Sequence, residues 1–148
     1  SRMIIIAIDP GARTGYVVIN SEDLEIIDHE EIENWFDVGI RLEKDLKLFP
    51  SAQVVLEKFI INSQTHKKGV QEEPKDVIGS CKWLAQKYTT NKAVMQTASE
   101  AKTFATNDKL KAVGFWHKGG KGHANDAFRH AMVYMVKNNL LDPRLLVQ

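Results

Sequence analysis

The first 32 residues constrain the fold most, because they alternate dense β-branched runs with turn residues at a spacing that suits only short strands. Residues 3–7 are a β-branched apolar run that ends at Ile8 and Asp9. A run this short and this apolar reads as a buried strand. Pro10, Gly11, Ala12 and Arg13 form a turn. Residues 14–19 read as a second strand, with Asn20 and Ser21 as a hairpin turn. Residues 24–32 carry a third, more polar strand, placed nearer a sheet edge. Strands joined this tightly pair antiparallel.

Downstream the period changes. Asn34 can cap a helix in which Trp35, Val38, Leu42, Leu46 and Phe49 make one apolar face, and Pro50 ends it. Residues 53–56 are a short buried strand with Glu57 at its end. Residues 60–73 are a long polar loop. Pro74 suits the first turn of a helix over 74–88, with Val77, Ile78, Cys81, Leu84, Ala85 and Tyr88 on a wide stripe. A strand over 93–95, short helices over 99–104 and 108–113, a glycine-rich stretch over 114–122 and a last helix over 125–138 complete the chain. The expectation is one α/β domain over residues 1–148, with Ser1 and Arg2 ahead of Met3 a cloning remnant. Its sheet is mixed: three antiparallel strands, then strands made parallel by helical crossovers, with helices on the faces.

Composition narrows the classes. With 148 residues and 43% apolar content, the chain can bury a core without disulfides or a structural metal. Its single cysteine, Cys81, excludes an internal disulfide and reads as a small core or interface residue. No apolar run approaches the ~18 residues of a membrane span and no signal peptide is visible, so the expected location is cytoplasmic. The net charge of +1 says nothing about partners, but its distribution does. Residues 1–57 hold 5 Lys and Arg against 12 Asp and Glu, whereas residues 58–121 hold 12 against 5. The middle segment is a candidate footprint for a polyanion, although lysines also coat ordinary solvated helices.

Three acids share one feature. Asp9 and Glu57 each end a buried strand, and Asp126 opens a helix after a glycine-rich loop. A lone buried carboxylate is costly, and several converging carboxylates repel one another unless a divalent cation joins them. Hard cations such as Mg²⁺ take oxygen ligands, and two of them can activate a water and stabilise a leaving oxygen in phosphodiester cleavage. His123, three residues before Asp126, shares its helical face and can ligate or assist proton transfer.

In this setting the stretch "IIIAIDPGARTGYVVI" resembles the first strand–turn–strand of RuvC-type Holliday-junction resolvases of the RNase H-like superfamily. "VVLEKF" resembles their strand ending in the second catalytic acid, and "GHANDAFRHAMVYMV" their C-terminal helix, which holds two acids or a His and an Asp three apart. The compact length and the His-Ala-Asn-Asp-Ala-Phe-Arg-His string are most similar to bacteriophage members, which would place the protein in a bacterial host cell. The resemblance implies an RNase H-like five-stranded sheet, a homodimer, Mg²⁺ or Mn²⁺ as two ions, and paired nicks in branched DNA. It implies Asp9, Glu57 and Asp126 as metal ligands, with His123 in the fourth place. Candidate DNA contacts are Arg13, Phe59, Lys67, Lys68, Lys102, Lys109, Lys111, Lys118 and Lys121. The sequence departs from the family at Ile60, where a base-stacking aromatic is common, with Phe59 one position earlier. The helix carrying Gly79 resembles the one that builds the RuvC dimer.

Each candidate also has an ordinary reading. Asp9 suits a turn before Pro-Gly, Glu57 a surface pair with Lys58, Asp126 a helix start, and His123 a loop. His130, four residues after Asp126, reads as a packed residue or one supporting a ligand, and Phe59 as core. Rival functions are a nuclease of the same fold acting on RNA–DNA hybrid, flaps or structured RNA, an actin-like nucleotide-binding module, and an inactive DNA-binding protein. The actin-like reading needs a second domain, for which the chain has no room.

Overall fold

The structure is a computed structural model that describes residues 3–58 and 72–147. Its centre is a five-stranded sheet built from β1 (Ile4–Asp9), β2 (Thr14–Asn20), β3 (Glu25–Ile32), β4 (Gln53–Lys58) and β5 (Val94–Thr97). The spatial order is β3-β2-β1-β4-β5. β1 pairs antiparallel with β2, and β2 with β3, whereas β4 lies parallel to both β1 and β5. This is the mixed α/β sheet expected from the strand meander and the helical crossovers, with β3 at the edge.

Among the described residues, five α-helices accompany the sheet: α1 (Trp35–Leu48), α2 (Glu72–Tyr88), α3 (Ala98–Phe104), α4 (Asn107–Ala112) and α5 (His123–Lys137). A final 3₁₀ turn spans Pro143–Leu146. Among the described residues, no helix is long and apolar enough to cross a membrane.

Strand periodicity divides the core in two. Ile4, Ile6 and Ile8 of β1 join Tyr16, Val18, Val54 and Leu56 on one face, covered by α1 and α2. Ile5 and Ala7 join Val17, Ile19 and Val55 on the other, under α5. Helix α5 is buried along most of its length, with Ala127, Phe128, Ala131, Met132 and Met135 against the sheet. Asp9 follows the alternation of Ile5 and Ala7, and Glu57 that of Val55. Both strand ends therefore present their acids to the α5 side.

The strand over 93–95 runs on to Thr97, the helix expected from 74 starts at Glu72, and two further details differ from the sequence-based expectation. Helix α5 begins at His123, two residues earlier than its periodicity suggests. Trp35 is not part of the α1 core face: Val38, Leu42 and Leu46 are fully buried, but Trp35 is 43% exposed. Phe36 and Ile40 are exposed beside it, so α1 carries a second apolar stripe pointing outward.

Candidate metal centre

The α5 N-terminus is held against the sheet by a close approach and a long-range cap. A Cβ on Gly15 would run into the backbone of His123 and Ala124, so only glycine lets β2 and the helix start meet here. The N-cap, Gly122, has φ of 86° and no side chain to satisfy the first helical N–H groups. Glu31 of β3, directly opposite Gly15, supplies that function. Its carboxylate accepts from the backbone N–H of Lys121 at 2.8 Å, His123 at 2.8 Å and Ala124 at 3.3 Å. Burial acts to raise its pKa, but these bonds hold it below the ordinary glutamate value.

This seating points His123 at the end of β1, where its Nδ1 lies 3.2 Å from Asp9 Oδ2. One turn along α5, Asp126 joins them. Ligand atoms of Asp9, His123 and Asp126 all lie within 4.8 Å of one another. A second group, equally compact, comprises Asp9, Glu57 and His130. Among the described residues these are the two groups able to hold a metal ion, and Asp9 belongs to both. The structure thus brings Asp9, Glu57, His123 and Asp126 to one place and adds His130.

Electrostatics explain why a cation suits the position. Asp9 is pushed up to about 8, chiefly by burial, with the Glu57 and Asp126 charges adding to it and the His123 hydrogen bond opposing. His123 is raised in turn by its hydrogen bond to Asp9. Glu57 stays below its ordinary value despite burial, because His130 and Asp9 hydrogen-bond to it and Lys102 lies near. A carboxylate forced to hold a proton at neutral pH is relieved when a divalent cation takes the proton's place. The oxygen-rich donor set with a single imidazole at the helix start fits such an ion.

Besides Glu31, two further supporting residues are absent from the sequence-based candidates. Arg129 donates from Nε to Asp126 Oδ1 at 3.1 Å and from its other nitrogens to Ala105 O and Asn107 Oδ1, both at 2.7 Å. It fixes Asp126 and ties α5 to the α3–α4 connection. Its spacing of three from Asp126 is the signal that could have found it. Gln96 pairs with Glu57 across β4 and β5 and contacts His130. Nothing local marks it, because the strand expected from the sequence stops at residue 95.

The basic candidates fall into separate positions. Lys102 stands on α3 near Glu57, and Lys118 and Lys121 are exposed on the loop leading to His123. Arg13 is paired with Glu33 at 2.9 Å and Glu31 at 3.5 Å. Lys109 donates to Phe104 O at 3.0 Å, and Lys111 lies 4.5 Å from the centre of the Trp116 ring. Phe59, Lys67 and Lys68 lie outside the described residues.

The architecture has solved counterparts. Thermus thermophilus RuvC, in complex with a Holliday junction substrate, matches with a TM-score of 0.72 over 93% of this chain and 96% of that one, at 15% identity. A second Thermus thermophilus RuvC structure matches with a TM-score of 0.64 over 93% and 98%, at 13% identity. The chain has the RuvC fold. No protein-family model and no curated protein matches the sequence. The RuvC-like sheet places the Asp9 and Glu57 strand ends side by side, with α5 laid across them.

Proposed function

We propose that the protein is a metal-dependent, structure-selective DNA endonuclease that resolves four-way or other branched junctions by paired nicks. One observation carries the reading: Asp9 is shared by two compact ligand groups at the strand ends of a RuvC-like sheet. Asp9, Glu57, His123 and Asp126 would hold the metal, Mg²⁺ or Mn²⁺, as two ions. When bound, two such cations supply an activated water and charge stabilisation for the leaving oxygen in phosphodiester cleavage.

The chain's own residues do the positioning. Parallel strands β1 and β4 set the separation of Asp9 and Glu57. The Glu31 cap and the Arg129 fork fix His123 and Asp126 on α5. Lys102, Lys118 and Lys121 offer positive charge around the acids, which draws a phosphate backbone towards them. A four-way junction as substrate is supported by the likeness to RuvC bound to one.

The same reading calls for a second copy of the chain, since a junction presents two symmetry-related strands. The face away from the metal centre suits that partner. Trp35, Phe36 and Ile40 of α1 and Trp83 of α2 are 43%, 60%, 54% and 59% exposed. They line one shallow groove with Gly39, Ser80 and Leu84. Aromatic residues exposed in a group are what interfaces bury. Gly79 has open space around its Cβ position, so close approach there is unobstructed.

The test is nicking of synthetic four-way junctions, flaps, RNA–DNA hybrids and linear duplexes with Mg²⁺ or Mn²⁺. Paired nicks in the junction are expected. Preferential cleavage of hybrids or flaps would reassign the substrate, and inertness on every substrate with both metals would refute the nuclease reading.

A further inference from the structure

His130 is fully buried, and its ring is held at both nitrogens. Nε2 lies 3.1 Å from Glu57 Oε1. Nδ1 lies 3.2 Å from the side-chain nitrogen of Gln96, which is itself buried and donates to the His130 backbone oxygen at 2.9 Å. That backbone oxygen decides the protonation pattern. A carbonyl can only accept, so the Gln96 amide must turn its NH₂ towards it. The second hydrogen of the same NH₂ then faces Nδ1, which must be the bare, accepting nitrogen. A neutral imidazole carries one proton, so that proton sits on Nε2 and is donated to Glu57.

We propose that His130 is a positioning residue for Glu57 rather than a metal ligand, with Gln96 at Nδ1 and the Glu57 carboxylate at Nε2 both requiring the tautomer that makes it so. The inference rests on the acidic cluster being a metal centre. An Nε2 that bears a hydrogen has no lone pair for a cation. The group formed by Asp9, Glu57 and His130 therefore reduces to two carboxylates, and the rest of the coordination falls to water or substrate oxygens. The group formed by Asp9, His123 and Asp126 keeps its imidazole. The two positions flanking Asp9 thus differ in kind: one takes oxygen alone, the other nitrogen and oxygen. The sheet register makes the arrangement possible, since Glu57 and Gln96 are direct neighbours and α5 lays His130 over both. Such outer partners fix the orientation of a ligand and commonly change metal affinity by about ten- to a hundredfold when removed.

The decisive measurement is long-range ¹H–¹⁵N NMR of the His130 ring in the wild-type protein, first metal-free and then titrated with Mg²⁺. Nε2 is expected to be protonated and Nδ1 bare in both. The metal-free spectrum tests the tautomer separately, whereas absence of any Mg²⁺-dependent change at Asp9 and Glu57 would count against the metal centre itself. Gln96→Met removes the selecting amide and nearly keeps the volume. Glu57 still accepts from Nε2 in this variant, but the ring loses its second anchor, which should weaken Mg²⁺ binding, read by calorimetry, by about tenfold. A bare Nε2 in the metal-free protein, or loss of its proton as Mg²⁺ saturates, overturns the assignment. So does a Gln96→Met protein whose Mg²⁺ affinity is unchanged.

Discussion

The carboxylate of Glu31 accepts the backbone N–H of His123 at 2.8 Å, so the edge strand caps the helix that carries two candidate ligands. Because Gly122 has no side chain, no neighbouring residue in the chain takes over this role. Glu31→Ala should cost about 1–2 kcal/mol, the range of a lost N-cap, measured by urea unfolding. Cleavage should fall by up to about a hundredfold as His123 loses its placement. Glu31→Gln keeps one accepting oxygen and should retain more of both. Unchanged stability in Glu31→Ala would show that the cap is dispensable.

Asp9→Asn, Glu57→Gln and Asp126→Asn should each abolish nicking and leave junction binding within a few-fold of wild type. On the proposed function the carboxylates would hold the cations, and the lysines the phosphates. Asp9→Asn should also raise the melting temperature of the metal-free protein at neutral pH, since Asp9 is costly to ionise there. Electrophoretic binding, nicking and thermal denaturation on the same preparations would check all three. Robust nicking by any one variant would contradict the assignment.

The raised Asp9 sets a pH dependence. Its folded value, about 8, exceeds that of the unfolded chain. Its contribution to stability is therefore fully present below the ordinary aspartate range and lost as pH rises towards 8. Metal-free protein should become less stable across this window, while saturating Mg²⁺ should flatten or reverse the trend. Glu31 acts in the opposite sense: its lowered value means that the cap's contribution is lost on acidification below the ordinary glutamate range. Melting temperatures from about pH 2 to 9, with chelator and with Mg²⁺, separate the two effects.

Lys118 and Lys121 are exposed on the loop that leads into α5. Replacing both with Gln should weaken junction binding and reduce the slope of log affinity against log salt by roughly one unit for each phosphate no longer neutralised. An unchanged slope would move the DNA surface elsewhere.

Trp83→Arg should convert a dimer into a folded monomer, because it places a charge in the exposed apolar groove between α1 and α2. Light scattering reports the mass, and circular dichroism the fold. A wild-type protein already monomeric at micromolar concentration would remove this face as the interface.

The strand meander makes the sheet legible, since β1 and β2 are too short and too apolar to be read otherwise. Asp9 and Glu57 stand out because each ends such a strand. What stays hidden depends on residues distant in sequence. The early start of α5 needs Glu31, which lies 92 residues before His123. The hydrogen bonds joining Gln96, His130 and Glu57 need β5 paired with β4 and α5 docked across both. Trp35 reads as core in the sequence because helical spacing finds apolar stripes without saying which one faces the sheet.

Alternation along β1 leaves Asp9 hostage to register. Ile4, Ile6 and Ile8 fill the core under α1 and α2, while Ile5, Ala7 and Asp9 turn towards α5. Deleting one residue between positions 4 and 8 would swap the two sets. It would drive the carboxylate into hydrocarbon, or force the isoleucines out of it. Length in this strand is therefore under tighter constraint than identity: Ile↔Val exchanges should be tolerated along β1, whereas a single-residue deletion should cost the fold and the metal centre together.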